Sequence, residues 1–426
     1  MCYKIKLSIF LYYFLIFQWI FGIIEEGYNF FVQHIHTTLF LLISIFNFII
    51  FLFLLFKKKF ILNFTIIEKN FIFIYLLYIF VSLGGVLYSP TYELGFVKEL
   101  KHIYWLSLMI VTLIYYKYIS YDEFIKFLQL IGTFSLFFLL FMTIFKFMNN
   151  YSFLSLLSGK TWFDISLFSD RNVFIEVLLY SFLFLVFKDL SIKKNLFFIY
   201  SLGLLFLILI IGILTGSRRV FVEVFLFIFF IFTFYKNSRY KFYLFLLIGI
   251  FLVGMNIKKL DINISDYMNQ SSSIGRSLSL ITGDKSKTSN LRTIEREIAF
   301  NTINSFNIYQ ILFGYGTSSY FYFYKNDYPH NFVLSVLIEG GILKFFILSV
   351  YLFYVIFNYV KYRNYLYNYE KFLIISLFFI YLLTRSISNQ EFINSKLLLF
   401  FTSIYIYFFN ESIKRKKEKI NDYLYK

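Results

Sequence analysis

The stretch NLFFIYSLGLLFLILIIGILTGSRRVFVEVFLFIFFIFTFY, Asn195 to Tyr235, decides the class of fold. Residues 195–214 carry no charge and are apolar almost throughout, the length and composition that a helix needs to cross bilayer hydrocarbon. A short turn, TGSRR, then sends the chain into a second apolar run over 219–235. The alternation continues in both directions. Roughly twelve runs can be marked, at 5–24, 35–56, 71–87, 103–119, 124–147, 173–187, 195–214, 219–235, 241–257, 331–357, 371–388 and 396–409. The composition agrees: of 426 residues 59% are hydrophobic and only 15% charged, and a mean hydropathy of +0.71 is too high for a soluble globular chain. The expected fold is an all-α polytopic membrane protein with about 12 transmembrane helices.

Residues 1–24 place Lys4 and Lys6 ahead of an apolar run with no small-x-small cleavage site, so they read as a retained first span. The net charge of +17 would raise nucleic-acid binding in a soluble protein. Here it is carried by lysines and arginines that flank spans, and no nucleic-acid partner is expected. Cys2 is the single cysteine, which excludes an internal disulfide and a cysteine-based metal site. Nor does the chain hold a P-loop, a GxGxxG turn, an HExxH or an Asp-x-Asp pair, so nucleotide use and metal-dependent transfer lose support.

The distribution of positive charge orients the chain. With a cytoplasmic N-terminus, the short inner loops and tail hold about 23 lysines and arginines against about 9 in short outer loops. Both termini are then cytoplasmic, and Pro90 and Pro329 fall in outer loops, where a missing N–H harms no span. The organisation expected is spans over 1–257, one long outer loop over 258–330 between spans 9 and 10, further spans over 331–409 and a basic tail over 410–426. The first part of the loop reads as plain loop or mobile lid. Its second part, LRTIEREIAFNTINSF, is periodic: Leu291, Ile294, Ile298, Thr302 and Ile303 share a helical face opposite Arg292 and Arg296, with Ser289 or Asn290 as N-cap.

Polar groups that persist inside a membrane mark candidate sites. Four clusters gather at the outer face. The turn LTGSRRVFVEV brings Arg218 and Arg219 into a short outer loop, where positive charge is disfavoured, with Glu223 one turn further in; snorkelling to the interface is the alternative for these arginines. FSDRNVFIEV sets Arg171 and Asn172 at a span entrance above Glu176, with simple helix capping by Ser169 or Asp170 as the alternative. The third is the helix with Arg292 and Arg296, followed by LFGYG, whose Gly314 and Gly316 permit a tight turn; local pairing with Glu295 on a solvated face is its plainer reading. The fourth is DYPHNFVLSVLIEGGILKFF, where His330 and Asn331 stand at a threshold. At about 1.5 Å per residue, Glu339 lies roughly 13 Å and Lys344 roughly 21 Å below His330 on one helix. Arginine forks suit phosphate and diphosphate without a metal. A neutral histidine suits proton removal from a hydroxyl, although a lone interfacial histidine is more often an anchor. A lipid-linked diphosphate sugar would satisfy both halves of such a site.

Over about residues 165–346 these patterns resemble the O-antigen ligase and O-antigen polymerase superfamily of bacterial envelope enzymes. His330-Asn331, Leu334, Glu339 and Gly341 look like its HN, Leu, Glu-x-Gly pattern; LTGSRR looks like its Thr-Gly-Ser-Arg turn, with Arg218 at the matching arginine. LRTIEREIAFNTI with LFGYG is similar to its arginine helix and Gly-x-Gly loop, and Asn172 resembles its asparagine at a span entrance. Arg292 is preferred over Arg296 as the matching arginine because Ala299 then falls at an alanine position. Lys344, Arg219 and Arg171 depart from the pattern, standing where a second glycine, a small residue and a proline are common. The resemblance implies a GT-C-like inner-membrane glycosyltransferase with no metal or other cofactor, acting at the periplasmic face on undecaprenyl-diphosphate-linked oligosaccharide donor and acceptor. Arg218, Arg292 and His330 would be catalytic, with Arg219, Arg296, Asn172, Arg171, Asn331 and Glu339 as substrate-binding residues and Gly314, Gly316 and Gly341 structural. Membrane lipid is a further partner, and a chain-length regulator an optional one. Polymerisation of repeat units is the leading expectation; ligation to lipid A core and transport of lipid-linked units are the alternatives.

Overall fold

A backbone that crosses hydrocarbon must satisfy its own hydrogen bonds, and helices are how a chain of separate apolar runs does so. The computed structural model describes residues 11–20, 49, 64–150, 171–187, 195–214, 219–234, 288–317, 319, 322, 331–387 and 396–424. The helices are α1 (Leu11–Ile20), α2 (Ile66–Val86), α3 (Tyr92–Tyr116), α4 (Tyr121–Asn150), α5 (Arg171–Val186), α6 (Asn195–Leu214), α7 (Arg219–Phe234), α8 (Thr288–Asn304), α9 (Ile308–Phe313), α10 (Phe332–Tyr362), α11 (Asn368–Ile387) and α12 (Lys396–Leu424). A single 3-10 turn, Arg363–Tyr365, links α10 to α11, and no strand occurs among the described residues. Ile66–Val86, Tyr121–Phe141 and Phe332–Tyr365 are long and apolar enough to cross a membrane, and shorter apolar helices accompany them. The described residues form an all-α fold with helices of membrane-spanning length and composition. The expected span 241–257, most of 35–56 and the lid-like part of the long loop lie outside the described residues.

Apolar side chains gain little by leaving lipid for protein, so the bundle depends on tight packing and hydrogen bonds between helices. The first half of α12, Leu397 to Phe409, is buried on every side and forms the central post. Trp19 of α1 stacks on Phe400 at 4.4 Å, and Phe124 of α4 on Tyr407 at 3.7 Å. Its Thr402 hydroxyl is shared by Tyr75 of α2 at 3.1 Å and Tyr351 of α10 at 2.8 Å. The most intimate pair, α4 and α5, meets at Gly132, where an added Cβ would lie 2.6 Å from the Ser181 carbonyl oxygen.

Two boundaries differ instructively from the hydropathy reading. α12 runs on to Leu424, through residues expected to be a tail, because Arg415 is held. Its guanidinium pairs bidentately with buried Glu370 at 2.7 and 2.8 Å and donates to the Tyr365 carbonyl at 2.8 Å. Tyr121 donates to the same carboxylate at 2.6 Å. At the other end, α3 begins at Tyr92, well before the expected 103, because Glu99 and His102 turn into the bundle instead of marking a loop.

Candidate functional site

Asn331 opens α10. Its side-chain oxygen accepts from the N–H of Val333 at 3.0 Å and of Leu334 at 3.4 Å, satisfying orphan donors of the first turn. The helix proceeds normally to Gly340 and breaks at Gly341, whose φ of 62° and ψ of −163° lie in a region nearly reserved for glycine. The break removes the regular acceptor role of the carbonyls just before it. The glycine loop after α9 takes their place: Tyr315 N–H donates to the Ile338 carbonyl at 2.8 Å and Gly316 N–H to that of Glu339 at 3.0 Å.

The fit is reciprocal. Gly314, at φ 69°, lies so close to the break that an added Cβ would stand 2.5 Å from the Glu339 carbonyl carbon and the Gly340 nitrogen. A Cβ on Gly341 would stand 2.5 Å from the Leu312 carbonyl. Gly316, at φ 90°, brings the loop against α2, where a Cβ would meet the Gly85 carbonyl oxygen at 2.6 Å. α9 itself is started by an Asn307–Gln310 capping box and tied to α2 by the Tyr309 hydroxyl, which donates to the Gly84 carbonyl at 2.9 Å. The two glycine motifs that the sequence shows far apart are therefore halves of one joint. The expectation of a single helix from the threshold to Lys344 is corrected: Gly341 divides it.

Below the joint lies a buried polar cluster that hydropathy reading missed. Thr317 donates to a Glu99 carboxylate oxygen at 2.6 Å, and Lys344 Nζ donates to the Thr317 hydroxyl at 3.3 Å. His102 Nδ1 lies 2.8 Å from the other Glu99 oxygen. Lys344 Nζ also sits 4.8 Å from the centre of the Tyr78 ring. Glu99, Thr317 and Lys344 are all essentially inaccessible. A lysine at mid-membrane costs about 2.5–3.5 kcal/mol on insertion scales, so a built partner set is required. Gly340 makes it reachable, because the Lys344 stem runs back through the space its Cβ would fill. The signal was present in ELKHIYW, where Glu99 and His102 are three apart on a face whose neighbours are apolar.

α8 rides on the outer segment of α10. Ala299 is fully buried against Leu334 and Ile338, with Ile303 and Phe306 beside them. Phe306 meets the Tyr315 ring edge-on at 5.1 Å. The expected apolar face is shifted, since Ile294 and Ile298 are exposed and the small Ala299 makes the close contact. Arg292 lies in this helix and Arg296 is exposed on it. Arg219 begins α7; Arg171 and Asn172 begin α5. Arg218 and His330 lie outside the described residues. Glu339 is buried, and its carbonyl serves the joint. Glu223 is buried in α7, and Glu176 in α5, where it accepts from the Tyr180 hydroxyl at 3.0 Å. A cavity of about 650 Å³ lies at the opposite end of the bundle, lined by Glu68, Lys117, Lys361 and Asn410 among others, and takes no part in this site.

Residues 203–349 match the family model described as O-antigen ligase. The matched segment runs from within α6 through the arginine turn, α8, the glycine loop and the joint; it leaves Arg171, Asn172 and Glu99 outside. No curated protein and no solved structure matches the chain. Over this segment the chain is similar to the O-antigen ligase family.

Proposed function

We propose that this protein polymerises undecaprenyl-diphosphate-linked oligosaccharide repeats, of O-antigen or capsule type, by metal-independent glycosyl transfer at the periplasmic face of a bacterial inner membrane. About 12 spans in a GT-C-like arrangement, with both termini cytoplasmic, form the scaffold of this reading. The observation that carries it is the joint at Gly341: the loop that follows the arginine helix is built into the helix that Asn331 opens, so the cationic and threshold elements form one unit. That arrangement suits a reaction needing an anion held beside an activated hydroxyl.

In this scheme an acceptor hydroxyl oxygen attacks the anomeric carbon of the donor glycan, and the bond from that carbon to the diphosphate oxygen breaks. The electron pair leaves with the diphosphate, whose charge Arg218 and Arg292 balance. The proton of the hydroxyl passes to His330. Arg219, Arg296, Arg171 and Asn172 line the donor side. Asn331 and Glu339 support the acceptor side, Asn331 by capping the helix it opens. Burial of Ala299 against α10 supports the register in which Arg292 is the matching arginine.

Ligation to lipid A core is the second reading, favoured by the description of the matching family. Glycolipid analysis of a strain lacking the gene separates the two. A polymerase predicts lipid A core capped by a single repeat. Bare core with accumulated lipid-linked polymer would instead establish the ligase, and unpolymerised units trapped in the inner leaflet would overturn both in favour of transport.

A further inference from the structure

α10 is two helical pieces divided at Gly341, the outer one running from Phe332 to Gly340. Its placement depends on the loop wedged at Gly341. That loop is fixed to the outer piece through backbone bonds from Tyr315 and Gly316, and to α2 and α3 by close backbone approach at Gly85 and Gly95. Side chains supply its remaining anchor: Thr317 links Glu99 of α3 to Lys344 at the head of the inner piece. Because α8 packs on the outer piece through Ala299, Leu334 and Ile338, whatever holds the loop also holds the arginine helix and Asn331 relative to the bundle.

We propose that Glu99, Thr317 and Lys344 are positioning residues that set the register of one unit, α8 with the outer piece of α10, against the arginine-bearing starts of α5 and α7. The inference rests on the transfer reading above. Two observations favour positioning over simple stabilisation. The charges are placed at the one discontinuity of α10, and Lys344 is reachable only because Gly340 lacks a side chain. Ground-state binding tolerates a slack site better than the transition state does, so loosening this anchor lowers turnover more than donor affinity.

The test uses the full-length protein in liposomes supplied with lipid-linked repeat units. Thr317→Val removes the bridging hydroxyl without changing shape, and Glu99→Gln/Lys344→Met removes both charges together, avoiding an uncompensated buried ion. Each is expected to lower kcat by about 10- to 100-fold with donor KM within about threefold of wild type, in protein that is still folded at the assay temperature, while Thr317→Ser restores turnover. Full kcat in Thr317→Val and in the double variant overturns the proposal, as does a loss that merely follows the fraction of unfolded protein. Arg218→Ala and His330→Ala, run in parallel, separate the two levels. If they abolish transfer while the anchor variants do not, only the positioning role falls; if wild type makes no polymer, or both retain full transfer, the catalytic reading falls with it.

Discussion

Replacing Gly341 by alanine puts the joint under a load that can be worked out. The backbone there, at φ 62° and ψ −163°, costs a residue with a side chain about 1–3 kcal/mol. The new Cβ would stand 2.5 Å from the carbonyl carbon and oxygen of Leu312, and backbone atoms cannot rotate aside as a side chain can. Relief requires the loop to withdraw, giving up the bonds from Tyr315 and Gly316 to Ile338 and Glu339. Each is worth about 0.5–1.5 kcal/mol, so the joint loses about 2–6 kcal/mol. At about 1.4 kcal/mol per decade, amide protection of Tyr315 and Gly316 falls at least about 30-fold, which hydrogen exchange on the detergent-solubilised full-length protein reads directly. Gly203→Ala is the control: nothing lies within 4 Å of the added carbon, and alanine in a helix interior gains about 0.5–1 kcal/mol. The Gly341 variant should lose both protection and transfer, the Gly203 variant neither. If the two variants behave alike, the joint does not exist as described.

At the positions proposed as catalytic, His330→Ala and Arg218→Ala should each abolish polymer at normal membrane abundance, and a near-normal chain-length ladder from His330→Ala removes the proposed role as base. Arg219→Ala and Arg296→Ala should be milder; a null Arg296→Ala beside an active Arg292→Ala would reverse their assignment. At the opposite end of the bundle, Arg415→Ala leaves the buried Glu370 carboxylate without its main partner and should destabilise the protein by about 3–5 kcal/mol, seen as a lowered thermal midpoint. Arg415→Lys should recover only part of this, since an ammonium cannot reproduce the two-point pairing.

The helical membrane class was legible because apolar runs of spanning length leave few alternatives, and residues 195–214 state it alone. Asn331, Glu339, Gly314, Gly316 and Gly341 were legible as motif residues, yet their relation was not. Nothing in the spacing of two glycine motifs says that one loop enters the break made by the other. The buried cluster was hidden for a different reason: charge lowers hydropathy, so Glu99 and His102 looked like the approach to a span when they lie inside the bundle. Lys344, unexplained by sequence, is answered only by Thr317 and Glu99, distant in the chain and adjacent in space. Periodicity placed α8 but misjudged its face, because close packing chose the small Ala299 over the larger Ile294 and Ile298.

The central claim is that this chain alone joins lipid-linked repeat units. Purified full-length protein in liposomes, given only undecaprenyl-diphosphate-linked repeats and no lipid A core, tests it most directly by mass analysis of the glycolipids. The account predicts a ladder of lengthened glycans with one undecaprenyl diphosphate released per linkage formed, absent in Arg218→Ala. Unlengthened repeats under these conditions, with glycan transferred only once lipid A core is added, would contradict it.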